Sequence, residues 1–538
     1  MLGLFVFVLV VSALIALGGS FFFLSRYRRA VLRGMAGRAG AAEAVPPTPA
    51  APAAASPPVH ALTLERLPAS AARADLPGPE AAARGYLLAG AGYAGTMALA
   101  AFASERFELA PAGVAYLFWI YAWPGVLAAN MVAGLDHARV WRNVGLYAAA
   151  GLALIAATAS GGDHAASLVG SWLIVSGLPS CLVGAFLARR LRAAGPLLLA
   201  MALPAVLGSQ LALWLLGASD AAMRSAADIG HALGLGAIEV LLVTTAAGTV
   251  LFGAIAWAGL RRLGASYERR GFSDEMLSLG AMGLTFALSQ AMLLATTHWA
   301  WWLAGPAAFV VAAGLARWRF ARLARAARPR TLLLLRVFAL GPRSARLFDL
   351  LRRRWLRGGS IAMIAGPDLA TTAVEPHEFL AFLGGRLDRQ FVEGGADLER
   401  RIGQMRPGTD PDARHRVHEF FCRADTWQAA VQRLLGRSDA VLMDLRGFGP
   451  AHAGCAYEIG RVLDEVPLPQ VVFAIDRGTD MACLRGILES AWAALSPRSP
   501  NRASPTPAAR LFEVHGPSAA ELESLVAHLL GAGRPRVS

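Results

Sequence analysis

The sequence predicts an α-helical polytopic membrane region of about nine transmembrane helices, followed by an α/β three-layer domain with a parallel sheet. Three observations predict it. Of the 538 residues, 55% are hydrophobic and only 16% charged, far from a soluble globular average. Nine apolar runs near spanning length occupy the first 320 residues. From residue 329 the composition changes abruptly to that of a soluble domain of about 200 residues, the usual size of one fold unit.

The first run, residues 2–24, is long enough to cross a hydrocarbon core, which takes roughly 20 helical residues. No basic residue precedes it, and Arg26, Arg28, Arg29 and Arg33 follow it. Without a small-residue cleavage site, residues 1–25 read as an anchor with its N-terminus outside, and a cleaved signal peptide is the competing reading. Residues 26–83 read as a cytoplasmic tether. Its stretch 41–60 holds eight Ala and six Pro, which excludes a regular helix.

Eight further runs, centred near Met97, Ala122, Leu152, Gly177, Pro204, Gly248, Thr285 and Ala308, form a bundle over residues 84–320. Arginine clusters fall at alternate connections: Arg139 with Arg142, Arg189 to Arg192, Arg261 to Arg270, and Arg317 to Arg330. The intervening connections hold only Arg106 and Arg224. This alternation predicts a multi-pass membrane protein with the lipid bilayer as partner, its N-terminus outside and its C-terminal domain cytoplasmic, which in a bacterial cell is the arrangement of an inner (plasma) membrane protein.

The formal net charge of +14 fits that reading, because residues 1–330 carry 25 Arg against 14 acids and residues 331–538 carry 26 against 23. No nucleic-acid partner is expected. All 51 basic residues are arginine, which excludes a P-loop lysine and Schiff-base chemistry. Cys181, Cys422, Cys455 and Cys483 share no CxxC spacing, and no disulfide framework or cysteine zinc site follows from them. Within the spans, Glu239 is the main acidic candidate, while Asn130, Gln210 and Gln290 are amides able to bond across helices. Pro124, Pro179, Pro204 and Pro306 are candidates to kink helices around a cavity. The apolar spans and the lack of an internal repeat disfavour a transporter.

In the C-terminal domain, residues 331–339, 360–365, 439–445, 470–476 and 509–514 read as strands, and 344–356, 375–391, 455–463 and 518–530 as helices. Residues 394–416 read as an irregular insertion, and Asp425 with Gln428 as a capping box opening a helix to Leu435. Alternating strands and helices imply right-handed crossovers and a parallel sheet, with ligands beyond the C-terminal strand ends.

One loop lies at that edge. Asp444 ends a strand, Gly447, Gly449 and Gly454 loosen the connection, and Glu458 is expected in the first turn of the next helix. The run 444–476 (DLRGFGPAHAGCAYEIGRVLDEVPLPQVVFAID) resembles the strand, Gly-rich loop, Glu-bearing helix and strand of nucleoside 2-deoxyribosyltransferases. Its GCAYEIG core is similar to the Cys-x-x-Glu motif of TIR domains, a related flavodoxin-like fold. The leading LLLLRVF and the ADTWQAAV run resemble TIR-like cytoplasmic domains attached to bacterial membrane spans.

The resemblance implies a glutamate that cleaves or transfers an N-glycosidic bond in a nucleotide such as NAD, which falls on Glu458. It also implies that Asp444 helps hold the substrate. The residues alone leave alternatives open: a helix-start glutamate also serves as a cap, His452 and Arg446 are phosphate or ribose contacts or plain surface, and Trp427 is an anchor or a stacking platform. Substrate-binding candidates are Asp444, Gly447, Gly454, Arg446 and His452. His415 and His418 lack a third ligand, so no metal is expected, and no cofactor either. The alternative to an enzyme is a non-catalytic signalling or sensor protein whose domain self-associates as a homo-oligomer or recruits partners.

Overall fold

The computed structural model describes residues 2–36, 60–69, 76, 78–104, 110–134, 137–187, 191–323, 329–337, 342–366, 374–405, 408–423, 426–516 and 518–531. The Ala/Pro stretch 41–59, the connection at Glu105 to Glu108, Arg189 and Arg190, and Asp425 of the expected capping box lie outside them. The chain is mostly helical and divides into two compact units. One comprises Met1–Tyr27, Pro79–Ala324 and Glu375–Gly384, and the other Arg28–Gly78, Arg325–Val374 and Gly385–Ser538.

The first unit contains α1 (Leu2–Ala36) as far as Tyr27, and α2 (Pro79–Ala103), α3 (Pro111–Ala133), α4 (His137–Thr158), α5 (Gly162–Trp172), α6 (Leu178–Phe186), α7 (Gly195–Gly217), α8 (Asp220–Ala232), α9 (Ala237–Glu268), α10 (Asp274–Leu294) and α11 (Ala304–Ala321). Among the described residues, nine stretches are long and apolar enough to cross a membrane, which fits a multi-pass membrane protein. The first helix is longer than expected and continues through Arg26 to Arg33 as far as Ala36.

Two local devices follow directly from sequence. Pro179 has no N–H to give the Val175 carbonyl, and the segment joining α5 to α6, Leu173–Gly177, is a π-helical turn. The Gln290 amide donates to that carbonyl at 3.3 Å while its oxygen accepts from the Tyr93 hydroxyl at 2.7 Å, so one buried amide ties three helices together. Between α2 and α3, Gly90 faces Gly125 so closely that a Cβ on Gly90 would sit 2.6 Å from the Gly125 Cα. Only glycine permits that approach.

The second unit is built on one sheet of β1 (Thr63–Arg66), β2 (Arg330–Arg336), β3 (Gly359–Ala365), β4 (Val417–Phe421), β5 (Ala440–Asp444), β6 (Val471–Ile475) and β7 (Ala508–Glu513). Its order is β1-β7-β6-β5-β2-β3-β4, and every pair is parallel. Helix α12 (Pro342–Trp355) follows β2. After β3 the chain forms α13 (Pro376–Leu383), which belongs to the first unit, and then α14 (Gly395–Gln404), α15 (Trp427–Leu435), α16 (Ala453–Glu465), α17 (Met481–Ala493) and α18 (Ala519–Gly531).

Strand residues alternate between two buried clusters. Leu332, Leu334, Ile361, Met363, Leu442 and Val472 pack with α12 and α18 residues, and Leu333, Leu335, Val441, Met443, Val471 and Phe473 with residues of α14 to α17. Burial of both faces is why these strands read as unbroken apolar runs.

The structure departs from expectation in several places. Strand β1 comes from the tether: Thr63 to Arg66 pair with Ala508 to Leu511, held by Leu62 and Leu64 packing into the core. Residues 394–416 are not irregular throughout, because they include α14 and lead into the unexpected edge strand β4. The expected helix 375–391 stops at Leu383, where Gly384 and Gly385 (φ +67°) break it, and a 3-10 turn Leu387–Gln390 follows. Counted from β2, the strand order is 3-2-1-4-5-6, the doubly wound dinucleotide-binding order, where flavodoxin has 2-1-3-4-5. Strand β4 makes the difference.

Helix α13 is clasped within the first unit. The Asp274 carboxylate, at the start of α10, accepts from the His377 backbone N–H at 3.1 Å, faces its Nδ1 at 3.0 Å, and accepts from the Tyr267 hydroxyl at 3.1 Å. The His377 ring stacks on Tyr267 with centroids 4.8 Å apart, and buried Glu378 accepts from the Tyr27 hydroxyl at 3.2 Å. Burial lowers the pKa of His377, but the charge and hydrogen bond of Asp274, with Glu378 and Glu375 nearby, outweigh it and raise it to about 9. The histidinium pair therefore stabilises the clasp fully below pH 6.5, and that contribution is lost as pH rises through about 9. Melting of the full-length protein in detergent should show His377→Ala less stable than wild type at about pH 7, with the gap closing by about pH 10. A gap that stays constant across that range contradicts the ion pair.

Candidate functional site

The sheet's order reverses between β2 and β5, and there Arg336 stands opposite Asp444 at the C-terminal strand ends. Ligands of doubly wound sheets bind in the crevice outside such a reversal, because the flanking connections diverge to opposite faces. Helix α16 follows β5. Its buried residues Cys455, Glu458, Ile459, Val462 and Leu463 recur at i, i+3, i+4, i+7 and i+8, so Glu458 occupies a core-facing position that its neighbours fill with apolar side chains.

That placement corrects the expectation for Glu458. Helix α16 starts at Ala453, so Glu458 lies in the second turn, and no acidic residue occupies the first. The helix dipole therefore does not favour its ionisation. Instead burial, with 2% of the residue exposed, raises its pKa to about 8, against a lowering by the Arg336 charge. Its Oε2 is buried with no hydrogen-bond partner among the described residues. Leaving a buried polar atom unsatisfied costs about 1–3 kcal/mol.

The substrate-binding candidates divide. Asp444 and Arg446 come together as a buried ion pair, Nε to Oδ1 and Nη2 to Oδ2 both 2.7 Å, so the Asp444 carboxylate is closed onto its own loop. Gly447 adopts φ +66°, the left-handed region where glycine is unstrained, and gives its N–H to Asp476 Oδ1 at 3.0 Å. His452 turns back on the loop, its Nδ1 3.1 Å from the Gly449 N and its ring against Phe448. It precedes α16 without capping it, so among the described residues the helix N-terminus carries no side-chain cap. At Gly454 an added Cβ would meet nothing nearer than Trp427 at 4.0 Å, so the position has no need of glycine. Trp427 is an anchor, set edge-on against Tyr457 at 5.3 Å and packed against the core.

Two residues escape sequence reasoning. Arg336, 3% exposed, is a charge ending an apolar strand, and that misfit was the available signal. Asp476 follows β6 and accepts from both Gly447 and Gly478, stitching two loops at the strand ends. Among the described residues no cluster of His, Cys, Asp or Glu suits a metal ion, and His415 is buried.

The strand ends thus gather two buried arginines, an α16 N-terminus without a side-chain cap and one buried carboxyl oxygen without a partner, the last two as judged among the described residues. No family model, curated protein or solved structure matches the chain.

A carboxyl that ionises near 4.5 unfolded and near 8 folded penalises folding increasingly between those values. Glu458→Gln should therefore gain stability relative to wild type as pH rises from about 5 to about 8, by roughly 1 kcal/mol per pH unit. Melting of the two full-length proteins across that range checks this; parallel curves would mean that Glu458 is not held protonated.

Proposed function

We propose that the chain is a multi-pass membrane protein whose α/β domain, three-layered and cytoplasmic, binds a nucleotide at the sheet's reversal point and cleaves its N-glycosidic bond with Glu458. The observation that carries this reading is the buried Glu458 oxygen, without a partner among the described residues, in a carboxyl that feels the Arg336 charge. A ligand that satisfies such an atom best explains why the fold retains it at a cost of about 1–3 kcal/mol.

A cationic base, such as the nicotinamide ring of NAD, accounts for the chemistry. Its positive charge beside Glu458 favours the carboxylate, which then attacks or stabilises the oxocarbenium-like centre at the ribose C1′ as the base departs. The α16 N-terminus, which carries no side-chain cap among the described residues, suits the phosphates, with Arg336 at the neighbouring strand end. The Asp444–Arg446 ion pair favours a second reading, a non-catalytic sensor module, since it leaves the expected ribose carboxylate occupied.

Incubating full-length protein in detergent with NAD, and separately with nucleosides, tests the first reading by release of the free base. Glu458→Gln should lower that rate at least about 100-fold with the fold retained. Release by wild type at a rate the substitution leaves unchanged contradicts the assignment. Because the carboxylate is the reactive form, kcat/KM should rise about tenfold per pH unit below about 8 and level off above it. A profile that falls with pH would instead make Glu458 an acid. Reporter fusions after Ser538 test the side: cytoplasmic fluorescence is expected, and alkaline phosphatase activity would reverse the topology.

A further inference from the structure

Within the helical unit, α2, α3, α7, α9, α10 and α11 line a partly open cavity of about 510 Å³, inside the range of roughly 300–1,000 Å³ typical of small-molecule sites. Pro124 and Pro204, two of the four prolines singled out by sequence, line it, whereas Pro179 and Pro306 do not. Its walls are almost wholly apolar, with Met201, Leu260, Met282 and Phe309 among them. It extends from mid-helix positions at Tyr93 and Pro204 to the turn between α9 and α10, where Gly271, Phe272 and Arg317 line its end.

Among the described residues, Arg317 is the one arginine in that lining. It is exposed and anchored by an Nη1 hydrogen bond to the Gly271 carbonyl at 3.1 Å. The nearby Asp274 carboxylate is turned to His377 and Tyr267. The Tyr93 hydroxyl, deep in the lining, is engaged by Gln290. An apolar cavity of this size does not hold ordered water, which needs two to four polar partners. In helices fit to cross a bilayer, the abundant apolar occupant is an acyl chain, and the guanidinium at the cavity's end selects an anionic headgroup.

We infer that this cavity is a binding site for one anionic lipid, its acyl chain among the helices and its phosphate on Arg317. The site is independent of the nucleotide reading. Binding of the chain buries apolar surface, and the arginine discriminates between headgroups that share the same tails.

The test uses full-length protein in a neutral maltoside detergent, titrated with dioleoyl phosphatidylglycerol, dioleoyl phosphatidylcholine or glycerol 3-phosphate, with bound molecules counted by native mass spectrometry. Phosphatidylglycerol should bind as one tightly retained copy, at about tenfold lower concentration than phosphatidylcholine. Glycerol 3-phosphate should not bind. Arg317→Gln should erase the headgroup preference while leaving chain binding. Two cavity-filling variants on different helices, Gly280→Leu and Gly259→Leu, should exclude both lipids. An added Cβ meets only Phe309 at 3.9 Å in the first and nothing within 4 Å in the second, so the backbone accepts each. Equal retention of both lipids regardless of Arg317, retention unchanged by whichever filling variants fold, or binding of glycerol 3-phosphate alone would each overturn the site.

Discussion

The parallel pairing of β1 with β7 constrains everything else in this chain. Between Arg66 and Arg330, among the described residues, lie eight stretches long and apolar enough to cross a membrane, yet both flanks contribute strands to one sheet. A chain that crosses a bilayer an even number of times returns to the side it left, so the sheet and the span count agree. An odd count would tear β1 from its partner. The arginine clusters of the sequence alternate with the same parity, as the preference of cationic segments for one face of a membrane expects. Two independent physical rules thus arrive at the same parity.

Much of the architecture was legible because it rests on composition and period. Apolar runs near twenty residues long announce spans, and TLLLLR, SIAMIA and VVFAI announce strands buried on both faces. What escaped was decided by tertiary context. TLER in β1 is short, polar at three of four positions and embedded in a tether, and becomes a strand only because β7 offers an open edge. VHEFF in β4 is an edge strand whose first three residues are only partly buried, so its pattern is weak. Helix α13 carries the sequence of an ordinary domain helix, and nothing local shows that its His377 and Glu378 find partners on α10 and α1.

The candidate site divides along the same line. The Gly-rich loop, the strand-end Asp444 and the helix bearing Glu458 are visible as a motif, since turn chemistry and strand ends are local. The electrostatics are not. Whether Glu458 is ionised depends on the depth of its stripe on α16 and on Arg336, more than a hundred residues earlier, and burial outweighs that arginine. Asp444, a substrate-binding candidate by sequence, is paired with Arg446 two residues on. Pairing the two charges within the loop costs less than leaving each ion buried alone.

Cross-linking β1 to β7 in membranes shows whether one sheet is built from both flanks of the eight candidate spans. Glu65 and Arg510 are register partners, so a chain bearing Glu65→Cys and Arg510→Cys, with the four native cysteines replaced, should cross-link efficiently with a short bismaleimide. Replacing the second substitution by Arg498→Cys, outside the strands, should abolish the product. Efficient labelling of the two introduced thiols from opposite sides of the membrane, with no cross-link, would contradict the account.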